Sequence, residues 1–113
     1  MAVDSPSEFV KVYRFMTEGL GLSGADLLVY ARVFSLCGAE EGRYYESRDR
    51  TARFLSLSVR QVRRSLARLE AAGLVVADGW HEWGRSPPTK AYRVDDERVR
   101  EALGGRGEPS APA

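Results

Sequence analysis

Residues 58–73 read SVRQVRRSLARLEAAG, and their spacing decides the fold. Ser58 is a good helix N-cap, and Gln61, three residues on, completes a capping box. Gly73 stands just past the last periodic residue, where a helix ends readily in a left-handed turn. At about one hundred degrees per residue, Val59, Val62, Leu66 and Leu69 fall on one side. Arg60, Arg64 and Arg68 fall on the other, with Gln61 beside them and the small side chains of Ala67 and Ala71 between. Long cations interleaved with small residues suit close approach to the groove of a polyanion. The apolar side needs a core, which the rest of the chain must supply.

Working upstream, Ser47 caps a short helix over about residues 48–55, with Thr51, Ala52, Phe54 and Leu55 as inward candidates. Ser56 and Leu57 turn tightly into Ser58. A short helix, a tight turn and a two-faced helix make a helix-turn-helix, in which the second helix reads the groove. Arg60, Gln61 and Arg64 are the candidate base readers. Arg matches guanine O6 and N7 with two hydrogen bonds, and Gln can do the same for adenine. Ser47, Arg48, Thr51, Arg53, Ser58, Arg63 and Arg68 are the candidate contacts to the DNA backbone, because hydroxyls and N–H groups at helix starts bind phosphate. For Ser47 and Ser58 capping is the primary expectation, which does not exclude a phosphate contact, and for Thr51 half-buried packing is expected ahead of one.

Ser23 with Asp26 opens an earlier helix that runs to about Cys37. Leu27, Tyr30, Ala31, Phe34 and Cys37 form one apolar stripe, and Val29, Val33 and Leu36 form another on the opposite side. A helix apolar on two sides is buried on two sides. The second side is covered either by residues 9–22 or by another copy of the chain. A homodimer with symmetric half-sites is therefore expected. Residues 9–22 read as a short strand passing into a helical turn. Residues 38–42 read as a turn, and residues 43–46 suit a very short strand, with Tyr44 and Tyr45 packing beside the hairpin that follows.

Downstream of Gly73, residues 74–77 read as a strand and Asp78-Gly79 as a hairpin turn signal. Pro87-Pro88 opposes sheet pairing, and residues 91–94 alternate as a return strand. The favoured arrangement is a long hairpin, strands 74–80 and 90–94, with 81–89 as its flexible tip. His81, Arg85 and Lys90 are its candidate DNA contacts, since a hairpin beside a reading helix can place cations in the minor groove. Trp80 and Trp83 are assigned to packing. Asp95 or Asp96 caps a last short helix carrying Val99 and Leu103. Residues 1–8 and 104–113 read as disordered, which leaves one domain over 9–103.

The chain has 113 residues, 43% hydrophobic and 29% charged, enough for one modest core. No stretch approaches the roughly 18 apolar residues of a membrane span. The start, MAVDSPSEF, is acidic without an apolar run, so a signal peptide is not expected there. Cys37 is alone, which excludes an internal disulfide and fits a reducing cytoplasm. It lies on an inward stripe and reads as an inert thiol. His81-Glu82 has no second His to complete a metal motif, so neither a metal nor another cofactor is expected. Nothing pairs a nucleophile with a base or sets two carboxylates in a cleft, so no enzyme is expected. Net charge is only +1, but residues 43–68 hold eight Arg against Glu46 and Asp49, a local +6 set against −5 for the remainder. That is the pattern of a directed basic surface.

The string YYESRDRTARFLSLSVRQVRRSLARLEAAGLV resembles the winged helix-turn-helix family. The preceding LGLSGADLLVYARVFSLC is similar to the first helix of the version found in plasmid, phage and DnaD-type replication proteins. The helix-turn-helix portion looks equally like repressors of the MarR and GntR types. The likeness covers about residues 20–77. Two departures stand out: Thr51 where the family usually has Leu, and Ser56 where Gly is common. The resemblance implies an α+β, mainly α fold, with a three-helix core and a C-terminal β-hairpin wing. It also implies binding of double-stranded DNA, with the second helix in the major groove. A transcription regulator is the first expectation; a replication-initiation or accessory protein and a protein–protein adaptor are the alternatives.

Overall fold

Helix α3 spans Val59–Ala71, and local chemistry sets both of its ends. Ser58 Oγ accepts the Gln61 amide and Gln61 Oε1 accepts the Ser58 amide, each at 3.0 Å. At the other end Leu74 donates to the Leu69 carbonyl at 2.9 Å and Gly73 to the Glu70 carbonyl at 3.0 Å, with Gly73 at φ +77°. This pair of bonds is the Schellman closure. Helix α2, Arg48–Leu55, opens on Ser47, whose Oγ accepts the Arg50 amide at 3.1 Å. It closes as α3 does, through Leu57 to Ala52 at 2.9 Å and Ser56 to Arg53 at 3.3 Å. Here the left-handed position is Ser56, φ +58°. A β-carbon in that conformation costs about 1 kcal/mol.

The computed structural model describes residues 9–39 and 42–104. Val62, Leu66 and Leu69 of α3 are buried, joined by Ser65, while Val59 is half-buried. They meet α1, Gly24–Ala39, which also packs against α2 and the sheet. Val29 and Val33 are 0% exposed, as are Tyr30 and Ala31 on the other side of the helix. The Tyr30 and Phe34 side is covered by the N-terminal segment: Phe15 meets Phe34 edge-on at 5.5 Å, and Tyr13 meets it at 5.3 Å. Residues 9–22 therefore do the covering, and burying Val29 and Val33 takes no second copy. Leu36, the third residue of that stripe, is half-buried. The strand expected early in this segment does not form, while the helical turn expected after it does, as a single π-helical turn over Phe15–Gly19.

Residues 43–46 contribute one antiparallel bridge, Tyr44 to Tyr92, with N···O distances of 2.7 and 2.8 Å. Strands β1, Val75–Trp83, and β2, Ser86–Val94, form an antiparallel hairpin longer than expected. Asp78-Gly79 is not its turn. Ala77 pairs with Tyr92 and Trp80 with Lys90, so Asp78 and Gly79 together oppose Ala91 alone. That is a β-bulge, with Gly79 at φ +76°. The turn lies at Gly84-Arg85, between the paired residues Trp83 and Ser86, and Gly84 at φ +83° supplies the positive φ such a turn requires. Residues 81–89 are thus mostly strand rather than tip. Pro87-Pro88 sit at a second irregularity, between the His81–Thr89 and Trp83–Ser86 pairs, where an interrupted ladder accommodates proline.

Helix α4, Asp96–Gly104, returns to the N-terminal turn. Its buried residue is Ala102, which lies so close to Gly19 that a β-carbon there would come within 2.8 Å of Ala102 Cβ. Leu103 of the same helix is exposed. Arg98 Nη1 donates to the Ala72 carbonyl at 2.7 Å, a cation at the carbonyl end of α3. Gly104 ends this helix instead of starting the tail. The expected disordered ends, 1–8 and the rest of 104–113, lie outside the described residues, as do Glu40 and Glu41. No described helix is long and apolar enough to cross a membrane. The architecture is α+β and mainly helical, a three-helix core followed by a hairpin: the layout of a winged helix-turn-helix.

Candidate nucleic-acid interface

Arg60, Arg63 and Arg64 project from α3 and Arg50 and Arg53 from α2, all exposed. Among the described residues none of the five makes an ion pair or side-chain hydrogen bond. Most other described arginines are engaged. Arg14 meets Glu18, Arg32 meets Glu46, Arg68 meets Asp26 and Arg100 meets Glu97. Arg85 stands exposed in the hairpin turn. The spacing of residues does not single out Arg50 as it does its neighbours, although Arg50 stands three residues before Arg53 on the same helix.

Other candidates have different occupations. Thr51 is 0% exposed and cannot touch a phosphate. Its hydroxyl donates to Glu46 Oε1 at 2.6 Å and lies 2.6 Å from the Tyr44 hydroxyl. A carboxylate only accepts, so Tyr44 donates to Thr51 and the chain of protons is ordered. Burial pushes the Tyr44 phenol up, which keeps that donor protonated. The residue that departs from the apolar pattern of α2 is therefore fully hydrogen-bonded. Arg48 donates to two backbone carbonyls, Glu46 at 2.9 Å and Lys90 at 3.1 Å, instead of facing solvent.

Arg68 forms a bidentate pair with Asp26, Nη2 to Oδ1 at 2.7 Å and Nε to Oδ2 at 3.0 Å, which ties α3 to the first turn of α1. The Arg68 hydrogen bond holds the Asp26 carboxyl below the usual carboxylate range. Gln61 keeps its carbonyl on the Ser58 amide, so it presents only donors while the capping box is closed. Bidentate adenine readout needs the acceptor as well, and so requires the box to open. Ser47 and Ser58 each accept an amide and retain a hydroxyl proton to donate.

The hairpin carries a supported aromatic cluster. His81 stacks on Tyr45 at 3.7 Å with the rings 8° apart, and meets Trp83 edge-on at 4.4 Å. His81 is thus a packing residue whose ring face is already occupied. Trp83 Nε1 donates to Thr89 Oγ1 at 2.7 Å, yet the ring is 46% exposed. Trp80, assigned to packing, is 59% exposed. Lys90 is half-buried, its ammonium 5.4 Å from the Tyr92 ring centre. No family model, curated protein or solved structure matches this chain.

Beneath the cationic surface lies a polar network that the charge pattern did not reveal. The Arg32 guanidinium also lies 3.8 Å from the centre of the Phe54 ring. Arg32, Glu46, Thr51 and Tyr44 link α1, the bridge segment and α2, so the helix that carries Arg50 and Arg53 is held by hydrogen bonds as well as by apolar contact. Cys37 is buried, and burial pushes its thiol up, away from the reactive thiolate. No group of three His, Cys, Asp or Glu among the described residues is arranged to hold a metal ion.

Proposed function

We propose that this chain binds double-stranded DNA as a winged helix-turn-helix and regulates transcription from the site it occupies, in the cytoplasm. The observation that carries this reading is the unpaired state of Arg50, Arg53, Arg60, Arg63 and Arg64 on two successive helices. Guanidinium groups kept clear of carboxylates remain available for phosphate and guanine. In this reading Arg60 and Arg64 address base edges in the major groove, and Arg50, Arg53 and Arg63 address the backbone. Arg85 extends the contact from the hairpin turn. An adaptor using the same face for protein would call for an apolar or acidic outer surface on α3, and three arginines occupy it.

The experiment is selection of bound duplexes from a random pool, followed by titration of the enriched site over a salt series. Neutralising about four to six phosphates gives a log–log salt slope of about −4 to −5 on B-DNA. Failure to bind any duplex in a broad pool at low salt would reject the reading in favour of the adaptor.

A further inference from the structure

The short strand preceding α2 pairs with β2 at one point only, Tyr44 with Tyr92. In an unbroken antiparallel ladder the next residues to face one another on that side would be Glu46 and Lys90. They do not exchange backbone bonds, because the chain turns at Ser47 into α2. The Arg48 guanidinium bridges this position. Nη1 donates to the Glu46 carbonyl at 2.9 Å and Nη2 to the Lys90 carbonyl at 3.1 Å. Its central carbon lies 5.5 Å from the Tyr44 ring centre and 5.3 Å from that of Tyr92. Lys90 pairs with Trp80, beyond the Asp78-Gly79 bulge, in the half of the hairpin that stands clear of the core. The same segment also touches the hairpin through Tyr45, stacked on His81 and edge-on to Trp83, and through Arg43, whose Nε lies 3.9 Å from Asp78 Oδ2 at the bulge.

We propose that Arg48 is a positioning residue: it substitutes for the missing backbone pair between Glu46 and Lys90 and so fixes the outer half of the hairpin relative to α2 and α3. The inference rests on the duplex-binding reading above. Arg85 at the turn and Arg64 on α3 engage one duplex together only while this clamp sets their separation. Lysine cannot replace it, because an ammonium lacks the planar fork that reaches two carbonyls at once.

The test is a double-mutant cycle on the selected duplex, with amide hydrogen exchange of the DNA-free protein beside it. Arg85→Ala alone should weaken binding about fivefold at physiological salt, the counterion effect of one phosphate. In the Arg48→Lys background the same change should have no further effect, because the turn has already lost its place, while Arg64→Ala should cost as much as it does in the wild type. A fivefold loss from Arg85→Ala in both backgrounds overturns the proposal, since independent contacts add. Without DNA, Arg48→Lys should speed exchange at residues 80–83 and 89–90 by about tenfold and leave α3 unchanged. Unchanged exchange in the hairpin, or equal acceleration in α3, also overturns it. If the wild type binds no duplex, the DNA reading falls, and the exchange result alone decides whether the clamp exists.

Discussion

Arg32 and Glu46 meet side-on inside the protein, Nη2 to Oε2 at 2.7 Å and Nε to Oε1 at 3.1 Å, with side chains only 8% and 13% exposed. Two charges removed from water at this depth are tolerable only as a pair whose remaining valences are filled. Thr51 and the Phe54 ring supply further partners.

Breaking that pair from one side leaves a buried charge behind. Glu46→Ala should destabilise the protein by about 3–5 kcal/mol. Arg32→Met combined with Glu46→Leu should lose less than Glu46→Ala alone, because no charge is then stranded. Urea unfolding of the variants reads this directly. A double variant less stable than the single one would mean that the two residues act independently.

The Asp26–Arg68 pair sets a pH dependence. The folded pKa of Asp26 is depressed, first of all by the hydrogen bond from Arg68. Its stabilisation is therefore complete above the unfolded value of about 3.9 and is lost as pH falls through the lower folded value. The stability difference between wild type and Asp26→Asn should stay level from neutral pH down to about pH 5 and shrink below pH 4. Thermal unfolding across that range measures it; a difference that widens on acidification contradicts the assignment.

Ser56 holds a left-handed conformation at an exposed position between α2 and α3. Ser56→Gly removes a strain of about 1–2 kcal/mol and adds unfolded-chain freedom of about 0.4–1 kcal/mol. The expected result is a net gain of about 0.5 kcal/mol, with Ser56→Val losing stability. Shifts in the urea midpoint at constant slope are the readout. A loss on Ser56→Gly would show that the serine side chain contributes more than its backbone costs.

Arg64 and Arg68 stand one helical turn apart on α3 and should behave differently. Arg64→Ala should cost about 1–3 kcal/mol on the preferred duplex and relax selection at one or two base positions. Arg68→Ala should leave affinity and preference close to wild type, because its fork is occupied by Asp26. Fluorescence anisotropy on preferred and scrambled duplexes separates the two. Equal weakening of both duplexes by Arg64→Ala would remove α3 as the reader.

The helices of this protein were legible because their signals are local. Ser47 and Ser58 sit beside the amides they cap, Gly73 sits at the turn it enables, and the stripe of Val62, Leu66 and Leu69 repeats within two turns. Hence α2 and α3 have the expected extents, and the outward arginines of α3 are where periodicity puts them. The hairpin was only partly legible. Asp78-Gly79 carries the chemistry of a turn and equally that of a bulge, and the choice depends on whether residues beyond it find partners across the sheet.

By itself the sequence determined which segments are helical, which faces point inward and where cations concentrate, because these follow from spacings of a few residues. Only the tertiary structure decided which cations remain free. Arg68 finds its carboxylate, and Arg48 its second carbonyl, 42 residues away, and Arg32 meets Glu46 across 14. A long flexible side chain takes whatever acceptor the fold brings within about 3 Å, and that neighbour is set by packing, not by position along the chain.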